Sequence, residues 1–153
     1  MTRAPLQVIV IPFRKCDGKR FEYAVFHRAD TPMWHFVSGG AEDSETASEA
    51  ARREAFEEAA IPASNKWVAL DSKASVPRSA FASATHWPTS LFVVPEHAFS
   101  VDVTNHTIVL SHEHDEVRWL SFPDAAKLLT WDSNRVALWE LNERLTAGGE
   151  RPA

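Results

Sequence analysis

Residues 39–61 read GGAEDSETASEAARREAFEEAAI, and the charged residues in the second half of this stretch are spaced to share one side of a helix. Glu54, Glu57 and Glu58 project within roughly 100° of one another when a turn holds about 3.6 residues, so their carboxylates converge. The convergence is unfavourable by itself, because Glu54 and Glu58 repel each other and the helix dipole disfavours anions near the helix end. A bound divalent cation is the natural compensating charge, and Mg2+ and Mn2+ prefer such oxygen ligands.

The spacing of this stretch resembles the Nudix box, the signature of hydrolases that cleave nucleoside diphosphates linked to another moiety. The match covers the glycine start, the charged positions and the aliphatic end, at Gly39, Glu45, Arg53, Glu54, Glu57, Glu58 and Ile61. One position departs, because Ala60 stands where the family has glycine. Alanine costs about 1 kcal/mol in a left-handed helix end, so we expect the helix exit to differ locally. A solvated charged helix without a site is the alternative interpretation.

The resemblance implies a role for each charged residue of the box. Metal ligands or water-orienting groups would be the three helix carboxylates, Glu54, Glu57 and Glu58. The backbone carbonyl of Ser38 would be a further ligand, and Arg53 would support catalysis by pairing with a carboxylate, Glu45 first among them. These roles suit the reaction, because attack on a phosphorus crowded by anionic oxygens requires charge neutralisation and a water molecule with a lowered pKa.

A second acidic segment, SHEHDEVRWL, occupies residues 111–120. It resembles the Glu-His-x-Glu-x-x-Trp-Leu element that many Nudix proteins carry before a late strand. The resemblance makes Glu113 a candidate for an additional metal ligand or the general base. His112 and His114 lack the spaced partners of a zinc site, so we expect them to be loop residues. Glu116 is expected to pair with a neighbour.

The layout of the whole chain resembles a bacterial branch of the family, the dATP pyrophosphohydrolases that act as dihydroneopterin triphosphate pyrophosphohydrolases. The matching pieces are residues 5–10, 37–39, 113–120 and 133–135. Asn134 and Arg135 are therefore candidates for substrate contact, although they could simply close a helix against the sheet. Trp34, Phe36 and Trp87 are candidates for stacking on a base or pterin, with a place in the core as the commoner role of strand aromatics.

The hydrophobic pattern predicts an α/β fold with a mixed sheet, and the resemblance specifies the Nudix α/β/α sandwich. Strands are expected at residues 6–13, 21–27, 33–37, 66–70, 89–94, 107–110 and 116–120. Helices are expected from Thr46 or Ser44 to just before Pro62, at 123–129 and at 133–145. The expected domain covers residues 1–147, and residues 148–153 are expected to form a flexible tail.

The bulk composition favours one cytoplasmic enzyme domain acting on a small molecule. A chain of 153 residues with 44% hydrophobic residues is long enough for a single core. The net charge of −5, without a basic run, gives no indication of binding to a nucleic acid polymer. The lone Cys16 fits a reducing compartment, and no segment approaches the roughly 20 apolar residues that span a membrane. We expect a monomer or a homodimer.

The activity implied by the resemblance is Mg2+-dependent hydrolysis of a phosphoanhydride in a nucleoside or pterin triphosphate, releasing pyrophosphate and a monophosphate. Mn2+ is expected to substitute for Mg2+. Hydrolysis of a nucleoside diphosphate sugar such as ADP-ribose is one alternative, since Pro77 follows Ile61 at a distance where such enzymes often carry a proline. A non-catalytic nucleotide-binding module is another, against which the intact helix carboxylates argue.

Overall fold

A computed structural model describes residues 3–147, which form a seven-stranded mixed sheet with helices on both faces. The strands are β1 (Arg3–Lys15), β2 (Phe21–Arg28), β3 (Trp34–His35), β4 (Val37–Glu42), β5 (Trp67–Pro77), β6 (Val93–Asp102) and β7 (His114–Leu120). The α-helices are α1 (Ala47–Ala59), α2 (Phe122–Leu128) and α3 (Asp132–Thr146), and two short 3-10 helices, Arg78–Ala80 and Ala82–His86, follow β5. The expected tail at 148–153 lies outside the described residues.

Strand β1 lies at the centre of the sheet and joins segments that are far apart in sequence. One edge of β1 pairs in parallel with β6, with Gln7 opposite Glu96. The other edge pairs antiparallel with β4 and then, from Phe13 onward, with β2. Strand β5 extends the sheet beyond β6, and β3 and β7 both pair with β2. The combination of parallel and antiparallel pairs confirms the mixed sheet.

Two apolar cores lie on opposite faces of the sheet. Side chains alternate along β1, so Val8 and Val10 pack with α1 while Ile9 and Ile11 pack with α3. Helix α1 presents small buried side chains to the sheet, at Ala50, Ala51, Ala55 and Ala59. Each fully buried Val or Ile contributes about 1.5–3 kcal/mol of hydrophobic stabilisation. Cores on both faces confirm the α/β/α sandwich.

Helix α1 has well-defined ends. Thr46, rather than Ser44, caps its start in a capping box, accepting a hydrogen bond from the Glu49 backbone N–H at 3.1 Å while the Glu49 carboxylate accepts one from the Thr46 N–H at 2.9 Å. Ala60 ends the helix with φ 58° and ψ 34°, the left-handed geometry that glycine favours. The expected local difference at the exit is therefore not seen, and Ala60 carries the conformational cost instead.

Two strand predictions were wrong, and the strand predicted at 33–37 is divided between β3 and β4. The strand predicted at 89–94 begins only at Val93 and continues to Asp102, through Pro95. Proline is tolerated there because β1 pairs only from Glu96 onward, so no bond to β1 is lost at Pro95. Residues 107–110 form no strand, because the N–H groups of Val109 and Ser111 instead bond the carbonyls of Ala59 and Glu58 at the end of α1. Within residues 3–147, no helix is long and apolar enough to cross a membrane.

Candidate active site

Arg53 connects the acidic residues of the first loop and of α1. Its Nε and one terminal nitrogen donate to Glu45 at 2.8 and 2.9 Å, and the other terminal nitrogen donates to Glu54 at 3.0 Å and Glu57 at 3.2 Å. A further hydrogen bond reaches the Gly40 carbonyl at 3.0 Å. The Glu45 carboxylate is the main cause that raises the Arg53 pKa. Arg53 therefore fixes the loop between β4 and α1 against the helix.

Glu58 is a buried carboxylate with an unsatisfied oxygen. Its side chain is 2% exposed, and its Oε2 atom has no hydrogen-bond partner. Burial is the largest cause that raises the Glu58 pKa, and the nearby carboxylates of Glu54 and Glu113 add to it. The backbone of Ser38 opposes the shift with a hydrogen bond to the charged form. An uncompensated charge of this kind destabilises the fold, so the site is suited to a cation.

Glu54 lies on α1 together with Glu58, whereas Glu113 approaches Glu58 from the loop before β7. The Glu54 carboxylate lies against Gly39, where a Cβ atom would overlap it, so glycine is required for this close approach. Glu113 stands in the loop just before β7, anchored by a hydrogen bond from the Ala29 N–H to its carbonyl at 3.0 Å. Burial first, and then the Glu54 charge, raise the Glu113 pKa. Glu57 lies further out, with 54% of its side chain exposed.

We call the cluster of Glu54, Glu57, Glu58 and Glu113 the acidic end of the site. Its donor set fits a hard divalent cation. Every donor is an oxygen, and the unpartnered Glu58 Oε2 together with mutually raised carboxylate pKa values shows a shortage of positive charge. Across residues 3–147, no three His, Cys, Asp or Glu side chains already stand as a ligand set. The Arg53 guanidinium bridges the Glu54 and Glu57 carboxylates. A cation would have to draw these carboxylates together.

Two buried histidines, His35 and His114, lie next to the acidic end. The Nε2 atoms of His35 and His114 lie 2.9 Å apart, so one ring nitrogen donates to the other. Burial is the main cause that lowers both pKa values, to about 3 for His35 and about 4 for His114. Both rings are therefore neutral at physiological pH. The expectation that His114 is a loop residue was wrong, since it is the first residue of β7.

A cleft of about 600 Å³ runs along the sheet to the start of α3. This volume falls in the range of small-molecule sites. None of Glu54, Glu57, Glu58 and Glu113 lines it, but Ser38, whose backbone bonds Glu58, does. Near the acidic end the cleft is lined by Arg28, His35 and Ser38. The far end is lined by residues of β5, β6, the first 3-10 helix region and the segment before and within α3, among them Val76, Phe81, Glu96, Trp131, Ser133 and Asn134.

Of the residues that the sequence suggested for substrate contact, some line the cleft and others do not. Asn134 lines the cleft and is 3% exposed, and its Oδ1 accepts a hydrogen bond from the Phe36 N–H at 3.1 Å. Trp34 and Arg135 are not among the lining residues. The Trp34 ring instead lies under the Arg118 guanidinium at 4.5 Å, and Arg135 bonds Asp132 and the Leu129 carbonyl. The two further aromatic candidates, Phe36 and Trp87, are buried.

Sequence reasoning missed several residues that line the cleft. Phe81 and Trp131, rather than the three predicted aromatics, face the cleft. Arg28 lines the opening next to the acidic end, and its pKa is raised by Asp30 first and by Glu113 among other carboxylates. Glu96 had a weak signal, because it is a carboxylate in the middle of the mainly apolar strand β6. Phe81 had none, since a loop aromatic has no periodic pattern.

Comparisons with known proteins agree with this geometry. The NUDIX domain model matches residues 5–139. The chain is 29% identical over 139 residues to the dihydroneopterin triphosphate diphosphatase of Escherichia coli K12, covering 89% of this chain and 91% of that protein. The structure of the E. coli dihydroneopterin triphosphate pyrophosphohydrolase superposes with a TM-score of 0.73 at 27% identity, over 93% of this chain and 99% of that one.

Two further solved structures have the same fold. A NUDIX hydrolase structure from Listeria monocytogenes has a TM-score of 0.87 and 43% identity, over 98% of this chain and 100% of that one. The NUDIX domain of Shewanella oneidensis NrtR, complexed with ADP ribose, has a TM-score of 0.69 at 14% identity, over 92% of this chain and 88% of that one. The second likeness concerns the fold alone. With the family model matched over most of its length, the chain belongs to the Nudix family of hydrolases.

Proposed function

We propose that the protein is a Mg2+-dependent pyrophosphohydrolase that cleaves a nucleoside or pterin triphosphate to a monophosphate and pyrophosphate. The observation that carries the proposal is the buried, unpartnered Oε2 of Glu58 beside Glu54 and Glu113. Ser38 connects this cluster to a cleft large enough for a nucleotide. The similarity to the E. coli dihydroneopterin triphosphate enzyme over most of both chains supports the substrate class.

In this proposal the acidic end holds the metal. The ligands or water-orienting groups are Glu54, Glu57, Glu58, Glu113 and the Ser38 carbonyl. When bound there, Mg2+ or Mn2+ would supply charge neutralisation for the phosphates and would lower the pKa of the attacking water. Arg53 supports these residues by holding the loop between β4 and α1 in place through Glu45.

The remaining steps fall to side chains around the opening of the cleft. The raised pKa of Glu113 suits a group that takes a proton from the attacking water. Arg28 lines the cleft and supplies a fixed positive charge for the phosphates. The water oxygen bonds to the α or the β phosphorus while its proton passes to Glu113. The bond from that phosphorus to the α–β bridging oxygen breaks, and the monophosphate and pyrophosphate separate.

Hydrolysis of a nucleoside diphosphate sugar such as ADP-ribose is the second candidate. It is favoured by Pro77, which is the last residue of β5 and lines the cleft. A non-catalytic binding module is less favoured, because binding alone gives no reason for a buried Glu58 charge among other carboxylates. The proposal also includes a cytoplasmic location, which the partly exposed free thiol of Cys16 supports.

A substrate panel tests the proposal. The protein is incubated with Mg2+ and each of dATP, GTP, dihydroneopterin triphosphate and ADP-ribose, and pyrophosphate and phosphate are measured separately. We expect the triphosphates to release pyrophosphate, and ADP-ribose to have the lowest kcat/KM. If ADP-ribose has the highest kcat/KM, the second candidate replaces the first. Absence of turnover on every compound with either Mg2+ or Mn2+ overturns the enzymatic proposal.

A further inference from the structure

Glu96 is a second buried carboxylate, well separated in sequence from the Nudix box. It lies in β6, flanked by Gln7 of β1 on one side and Ala74 of β5 on the other. Its side chain is 7% exposed, and its Oε1 atom is buried without a hydrogen-bond partner. Glu96 also lines the cleft. Because Glu96 lines the cleft, a rotation of its carboxylate would present this unpartnered acceptor to a molecule there.

The surroundings of Glu96 differ from those of an ordinary structural carboxylate. Within residues 3–147, no Lys, Arg or His side chain forms an ion pair with Glu96, and the Ser133 hydroxyl is its polar neighbour. Glu140 in α3 shows the contrast, because it accepts hydrogen bonds from the backbone and hydroxyl of Ser72 and from Arg144. Glu140 is satisfied within the fold, whereas Glu96 is not.

The cleft around Glu96 suits a planar heterocycle. Phe81 and Trp131 supply aromatic surface, and Val76 supplies an apolar wall. The opposite end of the cleft, near Ser38 and Arg28, adjoins the proposed metal site. A triphosphate with its phosphates at the metal site therefore has its ring at the Glu96 end.

We propose that Glu96 selects the heterocycle, by accepting two N–H donors from the edge that guanine and pterin share. That edge presents a ring N–H beside an exocyclic amino group, and a carboxylate offers acceptors only, so the two match. Adenine presents an acceptor nitrogen beside its amino group, and this nitrogen would face a carboxylate oxygen unfavourably. The inference rests on the proposed function, because it takes the phosphate end to be at Glu58.

Competition between GTP and ITP isolates this contact, because ITP lacks only the exocyclic amino group. We expect the wild-type protein to prefer GTP in kcat/KM by about tenfold or more, the discrimination typical of a paired contact to a base edge. Glu96→Gln keeps the side-chain shape but replaces one acceptor with a donor, so the preference should fall to about twofold or less. Glu22→Gln is the matched control, since Glu22 of β2 pairs with Arg14 of β1 and does not line the cleft, so the ratio should stay unchanged.

A binding measurement makes the inference independent of turnover. We expect GMP to bind the wild-type protein about tenfold more tightly than IMP in calorimetry, and Glu96→Gln to lose this difference. Hydrolysis of triphosphates with no GTP preference in the wild-type protein overturns the role of Glu96 and leaves the proposed function standing. A preference retained in Glu96→Gln overturns it equally. A Glu96-dependent GMP preference without triphosphate turnover supports the role of Glu96 and removes the proposed function.

Discussion

Two buried carboxylate oxygens lack a partner, one on Glu58 at the acidic end, which adjoins the cleft at Ser38, and one on Glu96, which lines the cleft. Glu58 lies near Glu54 and Glu113, so the local shortage is one of positive charge. Glu96 has no carboxylate neighbour among the causes of its shift and faces aromatic and apolar groups, so the shortage is one of hydrogen-bond donors. An unpaired carboxylate oxygen therefore suits a metal ion at Glu58 and N–H donors at Glu96.

Removal of divalent cations should produce the largest effect, because it is expected to abolish turnover at the acidic end without changing nucleotide selection at Glu96. Dialysis against a chelator is expected to abolish turnover of every substrate, because the acidic end then lacks its compensating charge, and Mg2+ or Mn2+ should restore it. The preference for GMP over IMP should remain, since it depends on Glu96. Pyrophosphate release and calorimetry measure the two effects. Full turnover in metal-free buffer contradicts the assignment of the acidic end.

Neutralising a single helix carboxylate should have the next largest effect. Glu57→Gln and Glu58→Gln are each expected to lower kcat by at least about a hundredfold, because they remove several kcal/mol of transition-state stabilisation. The loss should be equal for GTP and ITP, unlike the loss in Glu96→Gln. Near-normal kcat at saturating Mg2+ in either variant would show that the residue does not bind the metal.

Glu58→Gln should also stabilise the metal-free fold. Burial raises the folded-state pKa of Glu58 above its unfolded value, so the metal-free fold loses stability as the pH rises above the ordinary carboxylate range. At neutral pH the variant avoids this loss, and its thermal midpoint without metal is expected to exceed that of the wild-type protein. The difference should shrink near pH 4, where the unfolded chain is also protonated. An unchanged midpoint at neutral pH would contradict the burial argument.

Glu113→Ala tests whether a loop residue shares in the chemistry of the acidic end. We expect kcat to fall by about a hundredfold, the lower end of the range for a lost general base, with little change in the thermal midpoint. The reason is that Glu113 stands in a loop anchored through its backbone rather than its side chain. Early unfolding combined with normal specific activity would show a structural role instead.

The smallest effect is expected at Ala60, which supports the acidic end without touching it. Ala60→Gly relieves the left-handed conformation and should raise the free energy of unfolding by about 0.5–1 kcal/mol. The denaturant midpoint measures this change, and kcat/KM should stay at the wild-type value. A lower midpoint would show that alanine is favoured there for a reason other than backbone geometry.

Sequence reasoning succeeded where the structure depends on neighbours in the chain. Glu54, Glu57 and Glu58 lie within two turns of one helix, so their spacing alone indicated an acidic cluster and Thr46 indicated where the helix begins. The far end of the cleft joins Glu96, Phe81 and segments around α3, which meet only through the sheet. No local pattern encodes such a meeting, and the predicted aromatics were misplaced for that reason.

The strand errors have the same origin. The strand that was predicted to end at residue 94 continues through Pro95, because β1 begins its pairing with β6 only at Glu96. Residues 107–110 are apolar enough for a strand, yet Val109 bonds the end of α1 instead. In both cases the outcome was decided by a partner distant in sequence, which a reading of local periodicity does not include.

The parallel pairing of β1 with β6 also affects how the protein folds as it is made. Gln7 leaves the ribosome long before its partner Glu96, and at about 5–20 residues per second the first strand waits on the order of seconds for that neighbour. Throughout this interval one edge of an apolar strand is open to pairing with other nascent chains. We expect the cellular yield of the protein to depend on translation speed and on chaperones that cover β1, more than on the stability of the finished fold.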